Sequence, residues 1–247
     1  MIYLKSPSEI GIIEANGRIL KECFELAERL VKAGVTRKDI DRAIEKLIIE
    51  RNAKPAFKGF QGYPAATCIS MDDEVVHGIP DDRAFADGQI VGIDIGVYKD
   101  GYYADAARTY PVGEISRQAK ELLRVTREAL DAGIAKAVIG NRLSDISHAV
   151  ESHVVKHGFS VVRALVGHGI GQQMHEQPQV PNFGPPSQGL SLEEGLVIAI
   201  EPMVNVGGAD VFTKDDGWTI VTADHSLSAH FEDTVALTKD GPKILTR

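Results

Sequence analysis

The chain has 247 residues, 43% of them apolar, which is enough to build a sizeable core as one large domain or two small ones. Its 35 acidic against 27 basic residues give a net charge of −8, which argues against nucleic acid or an anionic membrane as the main partner. Two cysteines without framework spacing, an N-terminus ("MIYLKSPSEI") lacking signal- or transit-peptide character, and no apolar run of the ~18–20 residues a membrane span needs predict a soluble, cytoplasmic protein. In chain order, "SPSE" at 6–9 predicts a helix start: Ser6 caps, Pro7 takes the first position and Glu9 closes a capping box. Ile10, Ile13, Gly17, Leu20, Phe24 and Ala27 follow at helical spacing, and Gly34 ends the run. "TRKD" at 36–39 predicts a second box, followed by Ile40, Ile44, Leu47 and Ile48. Extended segments with turn signals at "IPDD" and "KDG" fill roughly 65–110. The order then recurs. Ser116 starts a helix that stops at Gly140-Asn141; Ser144 starts the next, which His157-Gly158 ends; strands follow from Phe159.

"DGQIVGID" (87–94) and "EGLVIAIE" (194–201) are alike, each an apolar run that reads as a buried strand ending on an acid. Ser6 precedes Asp94 by 88 residues and Ser116 precedes Glu201 by 85, so helix–helix–strands–acid occurs twice. The expectation is a single domain over 1–247 made of two half-repeats, roughly 1–110 and 116–247. Its fold class is α+β: a continuous, mainly antiparallel sheet with the helices on one face.

An isolated carboxylate at the end of an apolar strand must be neutralised, paired or metal-bound. Each half offers a second acid, Asp105 in "GYYADAART" and Glu232 in "SAHFEDTVAL". Eleven residues separate Asp94 from Asp105, the spacing for side-by-side positions on two strands joined by "YKDGYY". The twofold repeat brings Glu201 and Glu232 to the same place, where four carboxylates repel one another unless divalent cations hold them. Pairing with bases is the ordinary alternative, but Arg108 is the only base in these strands. A carboxylate pair for glycoside hydrolysis would leave two acids unexplained. His168 follows an apolar strand (159–166) between Gly167 and Gly169, glycines that permit close backbone approach and positive φ; His175 follows in a loop. His77 stands at a strand end before a turn, while His148, His153, His157 and His225 read as structural or solvated.

"VVHGIP", "DIG", "DAART", "GHGIG", "MHEQP", "IEPM" and "HFED" occur in that order, and together they resemble type I methionine aminopeptidase, of the pita-bread fold, over about residues 3–246. That resemblance implies a curved sheet with two helix pairs on its outer face. It implies five metal ligands for two divalent ions: Asp105 and Glu232 bridging, Asp94 favouring one ion, His168 and Glu201 the other. His77 would lie near the substrate amine and scissile amide, and His175 near the scissile carbonyl. Phe57, Phe60, Tyr63, Cys68, Met174 and Trp218 would form the selectivity pocket. The family often has Cys and Tyr where this chain has Phe57 and Phe60, and commonly His where it has Asp233, a side chain expected to point away from Glu232.

The implied reaction is removal of N-terminal methionine before a small second residue. Two metals would activate a shared water, Glu201 would act as general base, and His77 and His175 would stabilise the developing charge. A carboxylate-rich site with one His suits Mn²⁺, Fe²⁺, Co²⁺ or Zn²⁺. The expected partners are peptide and nascent-protein N-termini starting with Met, compatible with ribosome proximity but with no specific nucleic acid, no membrane and a monomeric chain. The alternatives are an X-Pro aminopeptidase or prolidase, which normally carries a substantial N-terminal domain; a type II methionine aminopeptidase, whose helical insertion has no room between His175 and Glu201; and a non-enzymatic relative that has lost its metals, against which all five ligands argue.

Overall fold

A computed structural model describes residues 2–247. Helices α1 (Pro7–Leu30) and α2 (Arg37–Glu50) come first, then strands β1 (Lys54–Pro55), β2 (Thr67–Met71), β3 (Glu74–Val76), β4 (Ile90–Lys99) and β5 (Tyr102–Pro111). Helices α3 (Arg117–Ile134) and α4 (Leu143–Lys156) open the second half, followed by β6 (Ser160–Val161), β7 (Gly167–Gly169), β8 (Glu176–Val180) and β9 (Val197–Ile200). The chain closes with β10 (Met203–Asn205), β11 (Val211–Thr213), β12 (Ile220–Thr222), β13 (Ser228–His230), β14 (Glu232–Thr238) and β15 (Gly241–Ile244).

Both capping boxes of the first half form: the Glu9 carboxylate accepts from Ser6 N at 2.7 Å, and that of Asp39 from Thr36 N at 3.1 Å. Ser116 caps α3 by accepting from Ala119 N at 3.1 Å. The start of α4 differs from the expectation. Leu143 is its first residue and Arg142 the capping position; Asp145 accepts from Arg142 N at 2.8 Å, while the Ser144 hydroxyl is taken by Gln188 N. The first and third helices also stop short of the glycines expected to end them. Beyond Leu30 the backbone turns extended at Val31, and Gly34 N–H goes to Phe85 O in a neighbouring loop. Beyond Ile134 the N–H groups of Lys136 and Ala137 tighten onto Gly133 and Ile134 carbonyls, so those glycines shape the following loops instead.

The main sheet has nine antiparallel strands in the order β1-β4-β5-β14-β9-β7-β8, with β2 also on β4 and β15 also on β14. The halves meet at β5–β14, and the central order β4-β5-β14-β9 reads alike from either end. The seam is short: Glu232 lies opposite Ala107 and Asp233 opposite Ala106. There Thr234 Oγ1 replaces the ladder, accepting from Asp105 N at 3.1 Å and donating to Asp105 O at 2.8 Å.

One face of this sheet carries both helix pairs. Ile93, Ile95, Val97, Ala104 and Ala106 pack with Ile13, Leu20, Ile40 and Ile44; Ile198, Ile200, Val235 and Leu237 pack with Leu130, Ile134 and Ile146. This is the α+β pita-bread arrangement expected from the sequence, and the period-2 alternation sends the intervening residues to the other face. Two strand assignments need correction. Asp94 is not a strand end: β4 runs on to Lys99, where Asp100 and Gly101, both at positive φ, turn it into β5. Glu201 stands one residue past the end of its strand, where Pro202 has no N–H to continue the ladder. Nor is 159–166 one strand; only Ser160–Val161 pair, and Arg163 is drawn outward by Glu151 at 2.7 Å and the Phe183 ring.

Candidate active site

The four acids converge on the face away from the helices. Asp94 is registered with Ala107 and Asp105 with Gly96, so the two stand diagonally on adjacent strands rather than directly side by side. Cys68 of β2 lies opposite Asp94 on its other flank. Glu232 opens β14, and Glu201 follows β9. Gly96 has a steric reason: a Cβ there would come within 2.7 Å of the Phe57 ring. His168 is held by β7, whose glycines serve close approach rather than positive φ: a Cβ on Gly167 would meet Ala199 O at 2.4 Å, and one on Gly169 would meet Gln177 O at 2.3 Å.

His168 Nδ1 lies 2.9 Å from Gly169 O, so it carries the proton and leaves Nε2 with its lone pair, 3.6 Å from Glu201 Oε1. Burial, then the neighbouring His175, lowers His168 to about 4, so its approach to Glu201 near neutral pH is not an ion pair. Burial and the negative charge of their neighbours push Asp94, Glu201 and Glu232 well above the usual carboxylate range, and burial raises Asp105 to about 7. Among the described residues no Lys or Arg lies within ion-pair distance of these four acids; Glu201 has only His168 and His230 at that range.

Whether these residues suit a cation can be judged from their unmet valences. Buried Oδ1 of Asp94 and Asp105 and Oε1 of Glu232 have no hydrogen-bond partner. One oxygen each of Asp105 and Glu232 and a ring nitrogen of His168 lie within 4.8 Å of one another. Clustered acceptors without donors, beside a neutral imidazole, are the donor set of a divalent metal site and an unfavourable arrangement without one.

Phe57, Phe60, Tyr63, Cys68, His77, Met174, His175 and Trp218 all line the same cavity, of about 400 Å³. Tyr63 and Trp218 meet edge to face at 5.1 Å, and Phe60 meets His175 at 5.4 Å. Tyr63 donates its hydroxyl to Thr67 O and Gly78 O, leaving a polar tip fixed behind an apolar ring. Cys68 and Met174 fill between them, and Phe57 serves both cavity and core. Burial drives the Cys68 thiol well above its ordinary pKa, so it is a wall rather than a nucleophile. His77 follows β3 in the left-handed region, φ 58°, a backbone strain that aims its ring into the cavity. Burial, then His175, lowers His77 to about 4, and burial also lowers the more exposed His175. Trp218 sits in the turn between β11 and β12, which carries it to β3 and His77; the long 201–232 connection thus folds over the cavity.

Sequence reasoning missed His230, although "HFED" contains it. It is buried, its Nε2 has no partner, and it lies 3.8 Å from Glu201 Oε2. Its position two residues before Glu232, on the same face of an extended chain, was the available signal. Burial lowers it to about 3. Gln61, Gln179 and Met203 also line the cavity. Outside it, His148 meets Ser152 and His225 meets Asp73. Asp233 points to the helix side as expected, where Arg108 and Arg247 reach it at 2.6 and 2.7 Å.

Fold and site define a metallopeptidase, and the profile of metallopeptidase family M24 matches residues 11–239. The chain belongs to that family, and its metal requirement is for divalent ions. It is 50% identical to the methionine aminopeptidase of Clostridium perfringens over 100% of this chain and 99% of that protein. The crystal structure of methionine aminopeptidase from Thermotoga maritima superposes with a TM-score of 0.98 at 44% identity, covering 100% of both chains. The prolidase of Pyrococcus furiosus is more distant, with a TM-score of 0.79 at 25% identity and 65% of its chain covered. Within family M24 the chain therefore falls among the methionine aminopeptidases.

Proposed function

We propose that this chain removes the initiator methionine from peptides and nascent proteins whose second residue is small. The carrying observation is one cavity that joins four carboxylates without cationic partners to a wall of aromatic rings, a thiol and a thioether. In this reading Asp94, Asp105, His168, Glu201 and Glu232 would hold two divalent ions of the Mn²⁺, Fe²⁺, Co²⁺ or Zn²⁺ type. Bound there, the ions supply Lewis acidity and lower the pKa of a water. Glu201 takes the proton of the attacking water on a carboxylate oxygen and passes it to the leaving amine. His77 and His175, neutral near pH 7, donate N–H to the oxygen on which charge develops. Phe60, Tyr63 and Trp218, with Cys68 and Met174, hold the long, unbranched methionine side chain and keep water from it.

No helix of the described residues is long and apolar enough to cross a membrane, and we assign the reaction to the cytoplasm, with the chain acting as a monomer on nascent N-termini. Initial rates on Met-Ala, Met-Leu, Ala-Pro and Leu-Ala peptides, with each of the four metals, test the reading. Cleavage of Met-Ala well above the others supports it; preference for Ala-Pro would make the chain a prolidase-like enzyme instead.

A further inference from the structure

A second cluster of ligating side chains lies in the helix layer, across the sheet from the cavity. The end of α4 carries His153 and, one turn on, the capping residue His157; their rings stand 4.6 Å apart. Glu128 of α3 faces them, with Oε2 3.1 Å from His153 Nε2. One donor atom from each of Glu128, His153 and His157 lies within 4.8 Å of the others, and all three residues are half-buried.

The second ring nitrogen of His157 sets its chemistry. Its Nδ1 is 2.8 Å from His153 O, and a carbonyl can only accept, so Nδ1 bears the hydrogen and Nε2 keeps a free lone pair. Metal-ligating histidines are prepared in this way, with the distal N–H fixed on a carbonyl or carboxylate. A tetrahedral ion with bonds of about 2.0–2.1 Å places its ligands about 3.3 Å apart. The 3.1 Å between His153 and Glu128 is close to that edge.

We propose that Glu128, His153 and His157 form a second metal site, for one borderline divalent transition ion such as Zn²⁺, Ni²⁺ or Cu²⁺, clamping α3 to α4. Two imidazoles and one carboxylate suit those ions and not Mg²⁺ or Ca²⁺, which take oxygen ligands. Three protein ligands leave a coordination position for water. The site has a built-in competitor. Arg124 Nη1 donates to both Glu128 oxygens, at 2.7 and 2.6 Å, while its other nitrogens hold Glu121. An ion would displace Arg124 from Glu128 and leave it on Glu121. The site is independent of the reaction in the cavity.

The test is metal analysis after dialysis of the full-length protein against Zn²⁺, with the double variant His153→Ala/His157→Ala and the control His148→Ala alongside. The native chain and the control should bind one equivalent more than the double variant, while peptidase rates agree among all three. Arg124→Ala should bind the extra equivalent more tightly, because the competitor is gone. As a second measurement that keeps the helix cap's hydrogen-bond donor, His157→Gln should lower the number of imidazole nitrogens coupled to bound Cu²⁺ in the electron paramagnetic resonance spectrum by one. Equal Zn²⁺ equivalents in native and double variant, or an unchanged Cu²⁺ spectrum in His157→Gln, would overturn the proposal.

Discussion

Asp94 and Asp105 stand diagonally across the β4–β5 hairpin, each opposite a residue with little or no side chain: Asp94 faces Ala107 and Asp105 faces Gly96. Both carboxyls are thereby free to turn toward the same point, where Glu201 and Glu232 arrive from the other half. Burial and mutual repulsion favour their protonated forms, so a metal-free protein keeps protons there that the unfolded chain has already released.

That gives a pH prediction with a definite sign. Carboxylates whose folded pKa is raised cost stability as pH rises from their unfolded values near 4 through the folded ones. His77, His168 and His230, lowered to about 4, 4 and 3, act oppositely: unfolding lets them bind protons below 6.5, so their contribution grows as pH rises to that point and then levels. The two sets oppose each other below about 6.5, and above it only the carboxylates remain. The unfolding free energy of metal-stripped protein should therefore fall as pH rises from 6.5 to 8, by about 1.4 kcal/mol per pH unit for each carboxyl still protonated, and its melting temperature should fall with it. Metal-loaded protein should show no such fall and should melt higher throughout. Parallel melting curves for the two forms across that range would refute it.

Chelation and substitution test the proposed ligands against the remaining histidines. His168→Ala, Asp105→Asn and Glu232→Gln should each cut kcat/KM by orders of magnitude and weaken metal binding at the cavity. His148→Ala and His153→Ala, on α4 and outside the cavity, should leave kcat/KM essentially unchanged. Comparable losses in the two sets would place the reaction elsewhere. His77→Ala and His175→Ala should retain the cavity's metal while losing most of the rate; a missing equivalent in either would move that residue among the ligands.

Asp233 carries a stability prediction. Fully buried on the helix side of β14, it accepts from Arg108, Thr246 and Arg247 while Arg108 also donates to Glu232 O. Asp233→Ala leaves the buried Arg108 guanidinium without its carboxylate, while the more exposed Arg247 keeps Asp131 at 2.6 Å, and removal of one partner from a buried pair costs about 3–5 kcal/mol. Chemical denaturation should show that loss with near-normal metal content after refolding. A cost below about 1 kcal/mol would mean that water compensates the arginines.

Much of this was legible because it is local or periodic. The capping boxes at Ser6 and Thr36 are read directly from residue types three apart, and the alternation around Asp94 and Asp105 fixes their common face. The α4 start was misplaced because the capping interaction there comes from Asp145 reaching back to Arg142 N, with Ser144 committed to a distant loop. The apolar run 159–166 was misread as a strand because Arg163 leaves it to pair with Glu151, a contact the pattern does not encode. His230 escaped attention although its parity with Glu232 placed it on the same side. The Glu128–His153–His157 cluster needed the packing of α3 on α4, since only His153 and His157 are close in sequence.

In the proposed reading, selectivity rests most directly on Trp218. The turn that bears it, residues 214–219, is ordered by Asp216, which accepts from Trp218 N and Thr219 N at 2.8 Å and from the Thr219 hydroxyl at 2.6 Å. The indole is thus delivered by a rigid turn onto the edge of Tyr63, whose hydroxyl is itself anchored to backbone. Removing it should open the cavity without touching any of the four acids. Trp218→Ala is expected to lower kcat/KM on Met-Ala peptides, raise the relative rate on Met-Leu and Met-Phe peptides, and leave metal content unchanged. Asp216→Ala should give the same change in selectivity in weaker form, because it loosens the turn and keeps the ring. Unchanged discrimination at the second position in Trp218→Ala would show that the narrowing lies elsewhere in the wall, and wild-type cleavage of Met-Phe as fast as Met-Ala would leave a broad metal aminopeptidase.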